Sequence, residues 1–94
     1  MDEAKENKLQ KLMKKVEETF VDSVRAASNE KLRDEIIKLT GEIDEQMESK
    51  KNNTVLAEHR ANAKALADGY NNVIKDRKDR ISLIMLLLES RGNL

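Results

Sequence analysis

The sequence predicts an all-α protein of one domain, an antiparallel, coiled-coil-like helical hairpin that follows an N-terminal amphipathic helix. Three observations support this fold class. Apolar residues recur at steps of three or four along nearly the whole chain, which is typical of helices buried on one face. The 94 residues include no Pro and three Gly, too few for a turn-rich β-sandwich or barrel. Hydrophobic and charged residues each make up 38% of the chain at zero net charge, which is unlike a disordered protein.

The first helix is predicted over residues 3–27. Six apolar residues at helical spacing form its stripe, which predicts that a single face of the helix packs against the rest of the protein. They are Leu9, Met13, Val16, Phe20, Val24 and Ala27.

The second helix is predicted over residues 30–51. It follows Ser28-Asn29, whose side chains can accept a hydrogen bond from a free N–H of the first turn. Gly41 interrupts the middle of the helix at a cost of about 1 kcal/mol relative to Ala. The apolar stripe consists of Leu32, Ile36, Leu39, Ile43 and Met47.

The third helix is predicted over residues 54–90, after a turn at Asn52-Asn53, and Gly92-Asn93-Leu94 is its expected stop. Its stripe contains one charged residue, Arg77, at a position where an apolar residue is expected. A polar residue on a helical seam can set register or oligomeric state, and an acid of the first helix or of a partner chain is its expected counter-charge. The stripe is Leu56, Ala63, Leu66, Tyr70, Val73, Arg77, Ile81, Ile84 and Leu88.

A turn at Asn52-Asn53 pairs the second and third helices so that partner numbers add up to 105 or 106. Gly41 then lies near the alanines at positions 63, 65 and 67, which suggests a close helix approach. The two arms carry opposite charge, −4 over residues 30–49 and +4 over residues 50–91, so flanking residues can pair across the seam. The predicted pairs are Leu32 with Val73, Ile36 with Tyr70, Leu39 with Leu66, Ile43 with Ala63, and Met47 with His59.

Residues 81–88 are apolar nearly all round and extend past the start of the second helix in this register. A helix that is apolar on every side must be covered on every side, and a second chain is the simplest cover. We therefore predict a homodimer, with a three-helix monomer whose first helix folds back over this segment as the alternative. The predicted oligomer interface is Ile81, Ile84, Met85, Leu87 and Leu88.

The sequence offers few candidates for catalytic, cofactor-binding or metal-ligating residues. The chain has no Cys and no Gly-x-Gly pattern, which excludes thiol nucleophiles, Cys-based zinc sites and Gly-rich phosphate loops. His59 is the single His, and no neighbouring acid stands at a metal-ligand spacing from it. Catalytic, cofactor-binding and metal-binding residues are therefore not expected, and the sequence favours a non-enzymatic protein.

Two basic blocks provide an alternative function. Lys8, Lys11 and Lys15 share one face of the first helix, beside Lys14, and such a face can contact phosphates. The zero net charge and the lack of interleaved aromatic residues favour a solvated face instead. The second block is Lys75, Arg77, Lys78 and Arg80.

The apolar run at residues 81–88 is far shorter than the roughly 20 residues of a membrane span, and the N-terminus does not resemble a signal peptide. A cytoplasmic protein is expected. The pattern Ala63–Ala67, Tyr70, Ile74, Ile81 and residues 87–92 resembles small helical-hairpin proteins common in tailed-phage genomes. That resemblance implies a protein-binding role. The leading hypothesis is a homo-oligomeric adaptor, scaffold or modulator that binds proteins, and the alternative is an accessory nucleic-acid-binding protein.

Overall fold

The computed structural model describes residues 3–53 and 60–92. Within these ranges the chain forms four helices and no strand. The helices are α1 (Glu3–Lys15), α2 (Glu18–Ala26), α3 (Asn29–Lys51) and α4 (Arg60–Ser90). The predicted all-α hairpin is confirmed: α3 and α4 pack against each other as its two arms.

The C-terminal half of α4 lies at the centre of the fold. Leu83, Ile84 and Leu88 are buried there, and their burial is essentially complete. Residues from all three other helices join them in one hydrophobic cluster. The remaining buried members of this cluster are Leu12, Val16, Val21, Val24, Leu32, Leu39 and Leu87.

Polar contacts show how the other helices run along α4. Lys5 of α1 pairs with Glu89 near the end of α4. Glu17, which follows α1, lies 4.0 Å from Arg80, which precedes Glu89 by about two and a half helical turns of α4. Helix α1 is therefore antiparallel to α4, and α2 returns in the direction of α4.

Arg91 fastens the corner between α2 and α3 to the end of α4. Its guanidinium donates to the carbonyl oxygens of Arg25 (3.1 Å) and Ala27 (2.8 Å), and to Asn29 Oδ1 (3.0 Å). Carbonyls at a helix C-terminus lack partners within the helix, so one side chain satisfies two of them and fixes the start of α3.

The predicted first helix, 3–27, is divided in two. The chain leaves the helix at Val16-Glu17, and Glu17 has extended backbone angles (φ −59°, ψ 139°). A single rod could cover one side of α4, whereas two shorter helices cover two sides. The signal for the break is electrostatic, because Lys14-Lys15 suit a helix C-terminus and Glu18 suits the next N-terminus.

The ends of α3 and α4 follow their sequence signals. Ser28 Oγ accepts a hydrogen bond from the N–H of Lys31 at 3.2 Å, as expected for an N-cap. Gly92 follows α4 with φ +75°, a conformation in which Gly ends a helix without steric cost. The predicted start of the last helix at residue 54 lies outside the described residues.

The predicted register of the hairpin is wrong by about 15 residues. Glu42 Oε2 lies 2.9 Å from Arg77 Nε, and Lys50 Nζ donates to Asn71 Oδ1 at 2.8 Å. The residue numbers of these pairs add up to 119 and 121, not to 105. The midpoint of the paired residues is thus about residue 60 rather than Asn52-Asn53. The pair of Met47 with His59 involves a residue outside the described ranges.

A shift of 15 residues is about four turns of an α-helix, so the same faces meet in both registers. Periodicity alone therefore cannot separate them. The observed register places the N-terminal half of α3 beside residues 81–88, where Leu32 and Leu39 are buried, and leaves Leu66 exposed. Gly41 faces open space, with nothing within 4 Å of the position of a Cβ, so the expected close approach to the alanines is also wrong.

The predicted oligomer contact needs a correction as well. Ile84, Leu87 and Leu88 are buried within the single chain, Ile81 is half-buried, and Met85 is 46% exposed. Helices α1 and α2 cover the sides of residues 81–88 that the sequence-based prediction gives to a partner chain. Most of this segment is therefore unavailable to a second copy, as in the monomeric alternative.

The register can be tested by thiol crosslinking, because the chain has no Cys of its own. We expect Lys50→Cys/Asn71→Cys to react efficiently with a short bismaleimide within one chain. The matched pair Glu35→Cys/Asn71→Cys, which keeps one of the two positions and belongs to the other register, should not be crosslinked. Mass spectrometry of the crosslinked peptides reads the result, and the reverse pattern would contradict the observed register.

The central role of α4 predicts different costs for two adjacent substitutions. Ile84→Ala leaves a cavity in the core and should lower the free energy of unfolding by about 2–5 kcal/mol. Met85→Ala should cost well under 1 kcal/mol, because that side chain is half in solvent. Urea unfolding of the two variants at one matched protein concentration checks this. Equal losses of stability in the two variants would contradict the central role of α4.

Candidate functional site

The far end of the hairpin is a two-helix arm, formed by residues 43–51 of α3 and 63–78 of α4. Beyond Ile43, α3 buries no residue, and α4 buries none between residues 63 and 82. None of the other described helices reaches this arm, since α1 and α2 contact the opposite end of α4. The seam between its two helices is therefore open on both sides, and each side carries a groove.

One groove, the basic groove, has an apolar floor and a rim of lysines. Met47, which is 53% exposed, and Ile74 form the floor. The groove encloses about 440 Å³. Its six lining residues are Met47, Lys50, Lys51, Asn71, Ile74 and Lys78.

The lysines of the basic groove have no ion-pair partner among residues 3–53 and 60–92. Lys50 donates to the side-chain oxygen of Asn71, and no described carboxylate lies within ion-pair distance of Lys50, Lys51 or Lys78. Lys50 and Lys51 also occupy the last turn of α3, where they interact favourably with the helix dipole. The dipole explains their position, but it does not neutralise their charge.

The other groove, the uncharged groove, lies on the opposite side of the seam. It encloses about 290 Å³, and Leu66 on its wall is 37% exposed. The hydroxyl of Tyr70 accepts a hydrogen bond from Asn53 Nδ2 at 2.9 Å, so Tyr70 packs near the end of α3 rather than on Ile36 as predicted. The lining residues are Gln46, Ala65, Leu66, Gly69, Tyr70 and Val73.

A cluster of charges closes the base of the arm. Arg77 pairs with Glu42 of α3 and with Asp76, and Asp76 also lies 3.0 Å from Arg80 Nε. The Arg80 guanidinium stands 4.6 Å from the centre of the Phe20 ring, a cation–π contact with α2. Arg77 thus finds its acid on α3, not on the first helix or on a partner chain.

The two predicted basic blocks lie in different surroundings in the structure. Lys75 pairs with Asp79, and Arg77 and Arg80 belong to the cluster just described, so only Lys78 contributes to a groove. Lys5 of α1 pairs with Glu89, whereas the four lysines of the predicted block in α1 are exposed and have no ion-pair partner in the described part of the chain. They are Lys8, Lys11, Lys14 and Lys15, of which Lys8 also lines a shallow groove with Met85.

Metal binding and membrane insertion are two further possibilities for the described residues. Those residues contain no group of three or more His, Cys, Asp or Glu side chains that could hold a metal ion. None of the described helices is long and apolar enough to cross a membrane. His59 lies outside the described residues.

The sequence analysis singled out Met47, Ile74 and Lys78 but did not bring them together, and it singled out neither Lys50 nor Lys51. The predicted register paired Met47 with His59 and placed Lys78 far from Lys50. The need of residues 81–88 for cover on all sides was recognised but assigned to a second chain. Assigned to α3 instead, it favours the register that brings Met47, Lys50 and Lys78 together.

Comparisons with known proteins add no relative. No protein-family model matches the chain, and no curated protein or solved structure shows significant similarity to it. The resemblance to small helical-hairpin proteins of tailed phages stays a prediction.

Proposed function

We propose that the protein is a non-enzymatic adaptor, scaffold or modulator that binds other proteins through its two-helix arm. The observation that carries the proposal is the open seam of the arm. Apolar side chains there lie at helical spacing, as in a core, but no described helix covers them.

The energetics support an arm that accepts further helices. Complete burial of a Leu, Ile or Met side chain is worth about 1.5–3 kcal/mol. Met47 and Leu66 leave much of this gain unused in the isolated chain. A helix laid along either groove would extend the packing of the four-helix end into the arm.

We further propose that the uncharged groove is the contact between two copies of the chain. In a dimer with two-fold symmetry each patch meets its own copy. The lining of the uncharged groove brings no like charges together, whereas the basic groove would oppose three lysines to three lysines. This homodimer replaces the one predicted through residues 81–88.

Self-association predicts a specific effect of Leu66→Glu. The wild-type protein should sediment as a dimer at high micromolar concentration, and the variant as a monomer, because the new carboxylate would be buried without a partner. The control is Ile37→Glu, which adds the same charge on a side chain that is 71% exposed and lines neither groove. Equal sedimentation of the Leu66 and Ile37 variants would contradict the proposed contact.

The alternative function, accessory nucleic-acid binding, rests on the exposed lysines of α1. Lys8, Lys11 and Lys15 lie on one helical face within about 10 Å along the axis, a spacing that allows contacts with successive phosphates. The arm argues for the protein-binding role, because phosphate contacts would make no use of its apolar grooves.

A salt titration separates the two functions. If the lysines of α1 contact phosphates, the slope of log affinity for double-stranded DNA against log salt should fall by about 2–3 in Lys8→Gln/Lys11→Gln/Lys15→Gln. The control is Lys50→Gln/Lys51→Gln/Lys78→Gln in the basic groove, which should leave that slope unchanged. Under the favoured protein-binding function, fluorescence anisotropy should detect no DNA binding by the wild-type protein even at low salt.

A further inference from the structure

We infer that the basic groove binds an acidic amphipathic helix of another protein. That helix inserts apolar side chains between Met47 and Ile74 and directs carboxylates at Lys50, Lys51 and Lys78. The inference rests on the proposed protein-binding function and adds the chemistry of the partner.

The floor of the groove selects for aliphatic side chains. Met47 and Ile74 provide an apolar surface, and a methionine side chain adapts its shape to different ligands. A volume of about 440 Å³ is within the range of ligand-binding clefts. One or two side chains from a helix face fill such a site, as in other helix-in-groove complexes.

The rim of the groove selects for negative charge. Lys51 is exposed on the α3 side and Lys78 on the α4 side. The two lysines belong to different helices, so these cations flank the apolar floor from opposite sides. A ligand that follows the seam therefore satisfies both by carrying acids on both flanks of its apolar stripe.

The same features disfavour two other occupants. A second copy related by two-fold symmetry would bring the three lysines against themselves. Nucleic acid would place hydrated phosphates over the apolar floor, and the lining contains no aromatic side chain on which a base could stack.

Two synthetic peptides test the inference with the full chain. The first is a fluorescent helix of about five turns, roughly 18 residues, with Leu at every third or fourth position and Glu on both flanks. The second has Lys in place of each Glu. By fluorescence anisotropy we expect the Glu peptide to bind and the Lys peptide to bind at least tenfold more weakly.

Variants of the protein locate the contact. Lys50→Gln/Lys51→Gln/Lys78→Gln should weaken binding of the Glu peptide about tenfold, since three exposed ion pairs are lost and each contributes a factor of about two. Met47→Glu should weaken it further. The matched control Met85→Glu, at a similarly exposed methionine outside the groove, should bind like the wild-type protein.

Four outcomes would overturn the inference. They are equal binding of the two peptides, no effect of the lysine variant, dissociation of the protein dimer by the Glu peptide, which would make a second copy the occupant, and lysine-dependent binding of double-stranded DNA to the groove. Leu66→Glu reports on the other groove. If Leu66→Glu abolishes self-association but the Glu peptide does not bind the wild-type protein, this inference fails and the proposed function still holds.

Discussion

Burial of the C-terminal half of α4 is the constraint on which the rest of the structure depends. Leu83 and Ile84 have no solvent exposure at all, and a helix so apolar must be surrounded. One chain achieves this with three helices, which requires the break at Val16-Glu17 and brings the N-terminal half of α3 alongside. The arm is what remains of the hairpin once this requirement is met, and its grooves are open because the available helices are used at the other end.

The sequence was sufficient for the fold class, for the apolar stripes and for the start of α3 at the Ser28 cap. It was insufficient for the register, because two alignments about four helical turns apart bury the same faces. The information that decides between them is not periodic. It lies in the amount of apolar surface that each alignment leaves uncovered, and in Arg77, which reaches Glu42 in only one of them.

The same choice between two registers prevented prediction of the candidate site. Lys50, Lys51 and Lys78 were visible as charged residues at the end of one helix and the middle of another, with no reason to meet. Once the register is known, they surround Met47 and Ile74. A surface made by two helices thus depends on their relative shift along the axis, and the apolar stripes do not determine that shift. The lysines of α1 lie within a single helix, and for that reason their exposure on a shared face could be predicted directly.

The central position of α4 also bears on how the chain folds as it is made. Helices α1, α2 and α3 precede α4 in the sequence, so a ribosome releases them before the segment that they enclose. Until residues 81–91 emerge, Leu12, Val24 and Leu32 have no core to enter, and Arg91 cannot hold the α2–α3 corner. Packing of α1, α2 and α3 into a core therefore waits until residues 81–91 have left the ribosome, and the apolar faces of the nascent helices stay exposed during that interval.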